Sequence, residues 1–321
     1  MQDVFASSFQ GTVREPLSFE GIGTHSGCLA HLVIKPAAEG TGLVFVRTDI
    51  TDKENHIAVC PQAIKESSLC TTLGNKAGVY VRTTEHLLAA LLLQGIDNAH
   101  IEIDAEEVPI LDGSALAYTQ ALQKVGRKMQ KETRRFLVVK RPVEVREGER
   151  RVALLPSSLG LSLTVHCAYQ EYQVPRQSYV GVMTTEVFAR DIAPARSFGF
   201  FQNIEDLRVR GLACGSSLDN AVVFSEGKPL NTEGLRFPDE IVRHKALDML
   251  GDLATLGAPL TAHFLGNYPG HTLNAQLIAA LFAHAENWAW ESPLRKPMTS
   301  VIPFTSLSRR RPSRCAALTC R

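Results

Sequence analysis

One order of elements is written twice into this chain. In the first half a stretch of helical apolar spacing, Glu85 to Gln94, ends at Gly95. A strand-like run follows, Ala99 to Ile103, then a loop, Asp104 to Ser114, then a second helical stretch, Ala115 to Val125. In the second half Arg243 to Leu256 ends at Gly257, and Leu260 to Leu265, Gly266 to Asn274 and Ala275 to Trp288 repeat the order. A glycine just past the last periodic residue stops a helix because it adopts the left-handed conformation without a Cβ clash. Upstream of each set lie two short runs separated by a turn: His31 to Lys35 with Leu43 to Arg47, and Arg151 to Leu155 with Leu161 to Cys167. Alternation and β-branching predict a β-hairpin for each pair. We therefore expect an α+β fold of two duplicated domains, each a sheet covered by a helix pair.

The expected boundaries are 1–130 for the first domain and 131–307 for the second. The polar, basic segment Gly126 to Arg135 reads as a solvated linker between them. The second half also holds a piece that the first lacks. Phe198-Gly199-Phe200-Phe201 precedes an amphipathic stretch, Ile204 to Arg210, and Ala221-Val222-Val223-Phe224 follows. This predicts an inserted β-α-β unit, which serves either as extra core or as the wall of an apolar groove. The tail, 308–321, is rich in arginine and reads as disordered.

A length of 321 residues suffices for two domains with their own cores. The net charge of +1 gives no field that would gather nucleic acid or membrane. No apolar run approaches the ~18 residues that a bilayer span needs, and Met1 to Arg14 has no signal-peptide core. The seven cysteines form no C-x-x-C pair, as expected of free thiols in a reducing cytosol.

The chemistry-bearing residues sit on the repeated elements. On the second-half helix His244, Asp248 and Asp252 form one polar line beside Leu247, Leu250 and Leu253. An imidazole and a carboxylate one turn apart can share a divalent cation, and zinc accepts both ligand types. A solvated helix face with a weak His–Asp pair is the plainer reading of that spacing. In the first half, Glu85-His86 opens the helix behind Thr83-Thr84, either of which suits the N-cap. Glu85 suits the helix dipole there. An acid beside a metal-ligating histidine is also what activation of a water requires. Because both histidines start equivalent helices, a pseudo-twofold relation would bring His86, His244 and Asp248 together between the domains. Three protein ligands and an open position compose a catalytic zinc site, whereas four close a structural one. His271, after Pro269-Gly270, reads either as a structural loop residue or as an acid that Asp252 orients and keeps protonated.

At these residues the chain resembles a known family. Thr83-Thr84-Glu85-His86-Leu87-Leu88-Ala89-Ala90-Leu91 resembles the first metal motif of the UDP-3-O-acyl-N-acetylglucosamine deacetylases. Asn231 to Phe237, Asp239-Glu240 and Arg243-His244-Lys245 resemble their second. Gly251-Asp252-Leu253, Gly270 to Asn274, Val108 to Ser114 and Ala195 to Phe200 resemble further signatures. The resemblance implies a zinc amidase of lipid A synthesis in a Gram-negative cytosol, built from two β-α-α-β sandwiches with the site between them. It implies Zn²⁺ on His86, His244 and Asp248, Glu85 as general base, and His271 as general acid supported by Asp252. It implies that Lys245 faces the substrate and that the inserted unit, with Phe198 and Phe200, forms an acyl-chain passage. Where the family usually carries threonine, this chain has Ser197, which keeps the hydroxyl for an oxyanion but loses the stiffening methyl. The implied partner is a small nucleotide-sugar bearing an acyl chain. Beside it we expect no nucleic acid and no stable membrane insertion, and a monomer is the simplest expectation for an oligomeric state that the sequence leaves open.

Two rival readings are a zinc peptidase and a non-enzymatic nucleotide-sugar or lipid binder with a structural metal. The chain has no H-E-x-x-H run, which argues against the first. The second leaves Glu85 and His271 without a purpose.

Overall fold

The structure, a computed structural model, describes residues 7–65 and 69–292. The expected tail lies outside the described residues. The first half runs β1 (Phe9–Val13), β2 (Leu17–Ile22), β3 (Leu29–Pro36), β4 (Leu43–Arg47), β5 (His56–Ala58), α1 (Glu85–Leu93), β6 (Ala99–Ile103), α2 (Leu116–Val125) and β7 (Arg127–Thr133). The second runs β8 (Phe136–Val139), β9 (Val143–Glu147), β10 (Arg150–Leu155), β11 (Leu161–Tyr169) and β12 (Val174–Val182). It continues with β13 (Phe198–Phe200), α3 (Ile204–Val209), β14 (Val222–Ser225), α4 (Glu240–Ala254), β15 (Leu260–Asn267), α5 (His271–Phe282) and β16 (Trp288–Glu291). The fold is α+β.

Both sheets have one strand order. The first is β2-β3-β6-β4-β5, with β6 antiparallel to β3 and parallel to β4. The second contains β9-β10-β15-β11-β12, with β15 antiparallel to β10 and parallel to β11. The match extends to the margins. Thr12 of β1 bridges Asn98 in parallel and β1 pairs with β7, just as β8 lies parallel to the start of β15 and pairs with β16.

The expected hairpins do not form. β3 and β4 lie on opposite sides of β6, and β10 and β11 on opposite sides of β15. Alternation decides which face of a strand is buried, not which strand lies beside it. Skipping one position spans about 10 Å, well within the reach of the Pro36-to-Leu43 connection. Every second residue of β6 and of β15 is buried, as a sheet with one helix-covered face requires.

Two further expectations need correction. The supposed linker is mostly strand β7, paired with β1. Arg134 after it is buried because its Nε donates to Asp97 Oδ1 at 2.7 Å. The last helix starts at His271, not Ala275, and ends at Phe282, while Trp288 opens β16. The helix starts early because Gly270 is extended, with φ −170°, and its carbonyl accepts from Asn274 N–H at 2.9 Å.

The core lies where the two helix layers meet, with α1 packed along α4. Every residue of α1 is buried, as a helix between two sheets must be. Each fully buried leucine there contributes roughly 1.5–3 kcal/mol. The only charged or imidazole side chains on α1, Glu85 and His86, therefore sit inside the molecule and need partners.

Candidate active site

The starts of α1 and the middle of α4 face each other across the seam between the two halves. His244 and Asp248 are one turn apart on α4, with His244 Nε2 3.2 Å from Asp248 Oδ1. His86, on the first turn of α1, brings its Nε2 to 3.6 Å from that same oxygen. Ligand atoms of His86, His244 and Asp248 all lie within 4.8 Å of one another, and all three residues are buried. No other group of three such residues meets that spacing among the described residues. His244 Nδ1–H donates to the carbonyl of Ala195 at 3.1 Å, which turns the Nε2 lone pair toward the cluster. Lys245 Nζ donates to Asp248 Oδ2 at 2.7 Å, so the lysine holds the far oxygen of the carboxylate.

The charges are set by burial and by one another. Burial alone would raise Asp248, but His244 and Lys245 outweigh it and hold the carboxyl well below the usual range. Burial lowers His86 despite the opposing Asp248, leaving a neutral imidazole. Burial pushes Glu85 up to about 7, with His271 opposing and Asp248 and Asp252 adding to the rise. His271 goes the other way. Burial would lower it, but Asp252 and Glu85 raise it to about 9. Its Nδ1 lies 3.0 Å from both Asp252 oxygens, and its Nε2 lies 3.8 Å from Glu85 Oε1.

A cavity of about 840 Å³ opens over this group. Glu85, His86, His244, Asp248, Lys245 and His271 line it, together with Ser197 and Phe198. Ser197 Oγ is 3.4 Å from His244 Nε2, within reach of the same point. The expected β-α-β unit is present, with β13 and β14 parallel. Its Phe201, Ile204, Leu207 and Leu218, with Val223 and Leu230, give one end of the cavity an apolar wall. Phe200 also lines the cavity, stacked on Tyr172 with ring centroids 3.8 Å apart.

Some residues of the expected signatures hold the site's framework together. Arg196 is buried, and its Nε and Nη1 donate to Glu240 Oε1 at 2.8 Å and Glu233 Oε1 at 2.7 Å. That pins the Ala195–Phe200 segment to the start of α4. Gly113, at φ +83°, accepts Ser197 N–H on its carbonyl at 2.6 Å and so seats the hydroxyl. Thr84 occupies the expected N-cap position of α1, but not with the expected capping bond. Thr84 is helical and makes no side-chain cap bond; its Oγ1 donates to the Thr71 carbonyl instead, at 3.1 Å.

Other residues of the site were missed. Thr71 contacts Glu85, Asp252 and His271. Asn274 Nδ2 donates to Asp252 Oδ2 at 2.7 Å. Glu107 accepts from Thr83 Oγ1 at 2.7 Å and from the N–H groups of His25 and Ser26. His25 itself lines the cavity. No periodicity marks these residues, because each acts through a partner distant in sequence.

Hydrolysis of an unactivated amide needs one group to take a proton and another to deliver one. It also needs positive charge where the carbonyl oxygen turns negative. Glu85 and His271 stand opposite each other beside three side chains suited to a cation, so the site has the groups that a metal-assisted hydrolase of the amidase type would use. Sequence comparison places it more narrowly. The chain belongs to the UDP-3-O-acyl N-acetylglycosamine deacetylase family (LpxC), whose family model matches residues 10–283. It is 45% identical over 280 residues to a UDP-3-O-acyl-N-acetylglucosamine deacetylase of Phenylobacterium zucineum, covering 87% of this chain and 95% of that protein. Deacetylases of the same name from Syntrophus aciditrophicus and Shewanella loihica are each 41% identical. They cover 88% and 92% of this chain and 89% and 97% of their own lengths. No helix of the described residues is long and apolar enough to cross a membrane.

Proposed function

We propose that His86, His244 and Asp248 hold a zinc ion, with Glu85 as general base and His271 as general acid. The chain hydrolyses the acetamide of UDP-3-O-acyl-N-acetylglucosamine, giving UDP-3-O-acyl-glucosamine and acetate, an early step of lipid A synthesis. One observation carries the assignment of roles: Glu85 and His271 face each other across 3.8 Å beside the three ligands, inside one cavity.

The residues present fit the metal. Tetrahedral zinc with bonds of 2.0–2.2 Å sets its ligand atoms about 3.3–3.6 Å apart. The two histidine nitrogens lie 3.2 and 3.6 Å from Asp248 Oδ1. Two imidazoles, one of them oriented by a carbonyl, and an ionised carboxylate are a zinc donor set. When bound, zinc supplies Lewis acidity toward a water and toward the acetamide carbonyl.

The chain's own groups do the rest. Glu85 takes the proton of the attacking water. Nearby positive charge would pull its carboxyl below the metal-free position and keep it ionised. The Ser197 hydroxyl donates to the developing oxyanion. His271, protonated through neutral pH, gives its Nε2 proton to the departing amine. Asp252 holds the opposite ring nitrogen and stabilises the imidazolium before transfer. Lys245 fixes Asp248 from behind and lines the cavity beside the sugar nucleotide. Phe198, Phe200 and the apolar end of the cavity take the acyl chain, whose binding orients the acetamide. The matching strand orders support two duplicated units, with the change-over after Thr133. The substrate partner is a small molecule, and the site needs one copy of the chain, in the cytoplasm.

Acetate release from the acylated UDP-sugar, measured before and after chelation, tests this reading. Release should stop on chelation and return with added zinc. Undiminished release from metal-free protein would overturn it.

A further inference from the structure

Thr71 has no assigned part, yet it touches both the base and the acid. Its backbone N–H donates to Glu85 Oε2 at 3.0 Å. Its carbonyl accepts from the N–H and the hydroxyl of Thr84, at 3.3 and 3.1 Å, at the start of α1. Its hydroxyl crosses the seam and meets Asp252, 181 residues away. A carboxylate can only accept, so the single hydroxyl hydrogen points at Asp252 Oδ1. The same Oγ1 lies 3.3 Å from His271 Nδ1. With its hydrogen committed, the hydroxyl meets Nδ1 only as an acceptor. Nδ1 must then carry a hydrogen, shared among Oγ1 and the two Asp252 oxygens. The ring is thereby fixed with Nε2 toward Glu85 and the cavity.

We infer that Thr71 is a positioning residue of the reaction: it ties the base on one half to the acid on the other, and its hydroxyl sets the orientation of His271. This rests on the base and acid roles proposed above. A purely structural Thr71 would satisfy a buried carboxylate and nothing more. The two roles separate because the hydroxyl can be removed while the N–H to Glu85 stays.

The test is Thr71→Val, which keeps the shape and the backbone donor. We expect kcat to fall by about 10- to 100-fold, the usual cost of losing a group that orients another. KM should stay within about twofold, and zinc content, read by elemental analysis, should be unchanged. Thr71→Ser should recover most of the loss. On a His271→Gln background, Thr71→Val should cost less than about threefold, since two residues acting through one step are not additive. If the valine variant is insoluble, Thr71→Ala is read the same way per zinc-loaded molecule. Wild-type kcat without the hydroxyl, or the full loss repeated on the His271→Gln background, overturns the inference alone. Wild-type activity in His271→Gln itself defeats the acid assignment and this inference with it.

Discussion

Gly251 touches Glu85 backbone to backbone: a Cβ added at Gly251 would lie 2.1 Å from the Glu85 carbonyl oxygen. The contact marks where α1 and α4 cross, one turn from Asp248 and beside His86. Only a residue without a side chain lets the helices approach closely enough to bring His86 Nε2 on one to 3.6 Å from Asp248 Oδ1 on the other.

Gly251→Ala sets two effects against each other. Alanine in a helix interior favours folding by about 1 kcal/mol over glycine. Forcing a methyl into packed backbone costs typically 1–3 kcal/mol, and here the obstacle is a carbonyl that cannot rotate away. We expect the second to win, with a lower Tm and a drop in zinc content and activity. A variant with raised Tm and full zinc would mean that the helices separate freely at this crossing.

The pH profile reports the His271–Asp252 pair. The folded pKa of His271, about 9, lies above the ordinary 6.5. The protonated form is therefore favoured on folding, and its stabilisation is complete below 6.5 and lost as pH rises through about 9. Activity that needs this proton should decline over the same basic range. Asp252→Asn removes the main cause of the upward shift and leaves burial, so the basic limb of kcat/KM should move to lower pH. A limb that stays in place would assign it to another group.

Thr83 is β-branched and buried yet has φ +54°, a conformation such residues rarely adopt. Glu107 holds it there by accepting its hydroxyl, and it holds the His25–Ser26 turn with its other contacts. Glu107→Ala should destabilise the protein by on the order of 3 kcal/mol, since hydrogen bonds to a charged group are lost and buried donors are left unmade. Calorimetry checks the stability. A loss of zinc in parallel would trace the strain to His86, three residues on. An unchanged Tm would contradict the assignment.

Thiol reactivity should divide by burial. Burial pushes Cys70 up to about 11 and Cys167 to about 12, whereas Cys28 and Cys214 are exposed. Alkylation of native protein near pH 8, read by peptide mass, should label Cys28 and Cys214 well before Cys70 and Cys167. Equal labelling would indicate that the core around Cys70 and Cys167 opens readily.

The legible parts of the fold were those written in local pattern. The Ala99–Ile103 strand has its expected bounds. The α1 helix stops before Gly95, whose φ of +69° is the left-handed stop that its sequence suggests. What local pattern could not give was neighbourhood. β3 and β4 look like a hairpin because nothing in either run announces that β6, far along the chain, will come between them. The segment Arg127–Thr133 is exposed, as its polarity suggests, but it reads as a linker and not a strand because its pairing with β1 and the Arg134–Asp97 contact are both long-range. At the site, helical spacing marked His244 and Asp248, and the repeated order of elements marked His86. Thr71 carried no such mark, because its meaning lies in Asp252, on the other half.

The central claim is that one metal is held by ligands from both halves. Elemental analysis of purified wild type, His86→Ala and His244→Ala, with acetate release measured on the same samples, tests it most directly. About one zinc per wild-type chain is expected, with zinc and activity falling together in each variant although the two histidines lie on different halves. Full zinc content in either variant would contradict the claim.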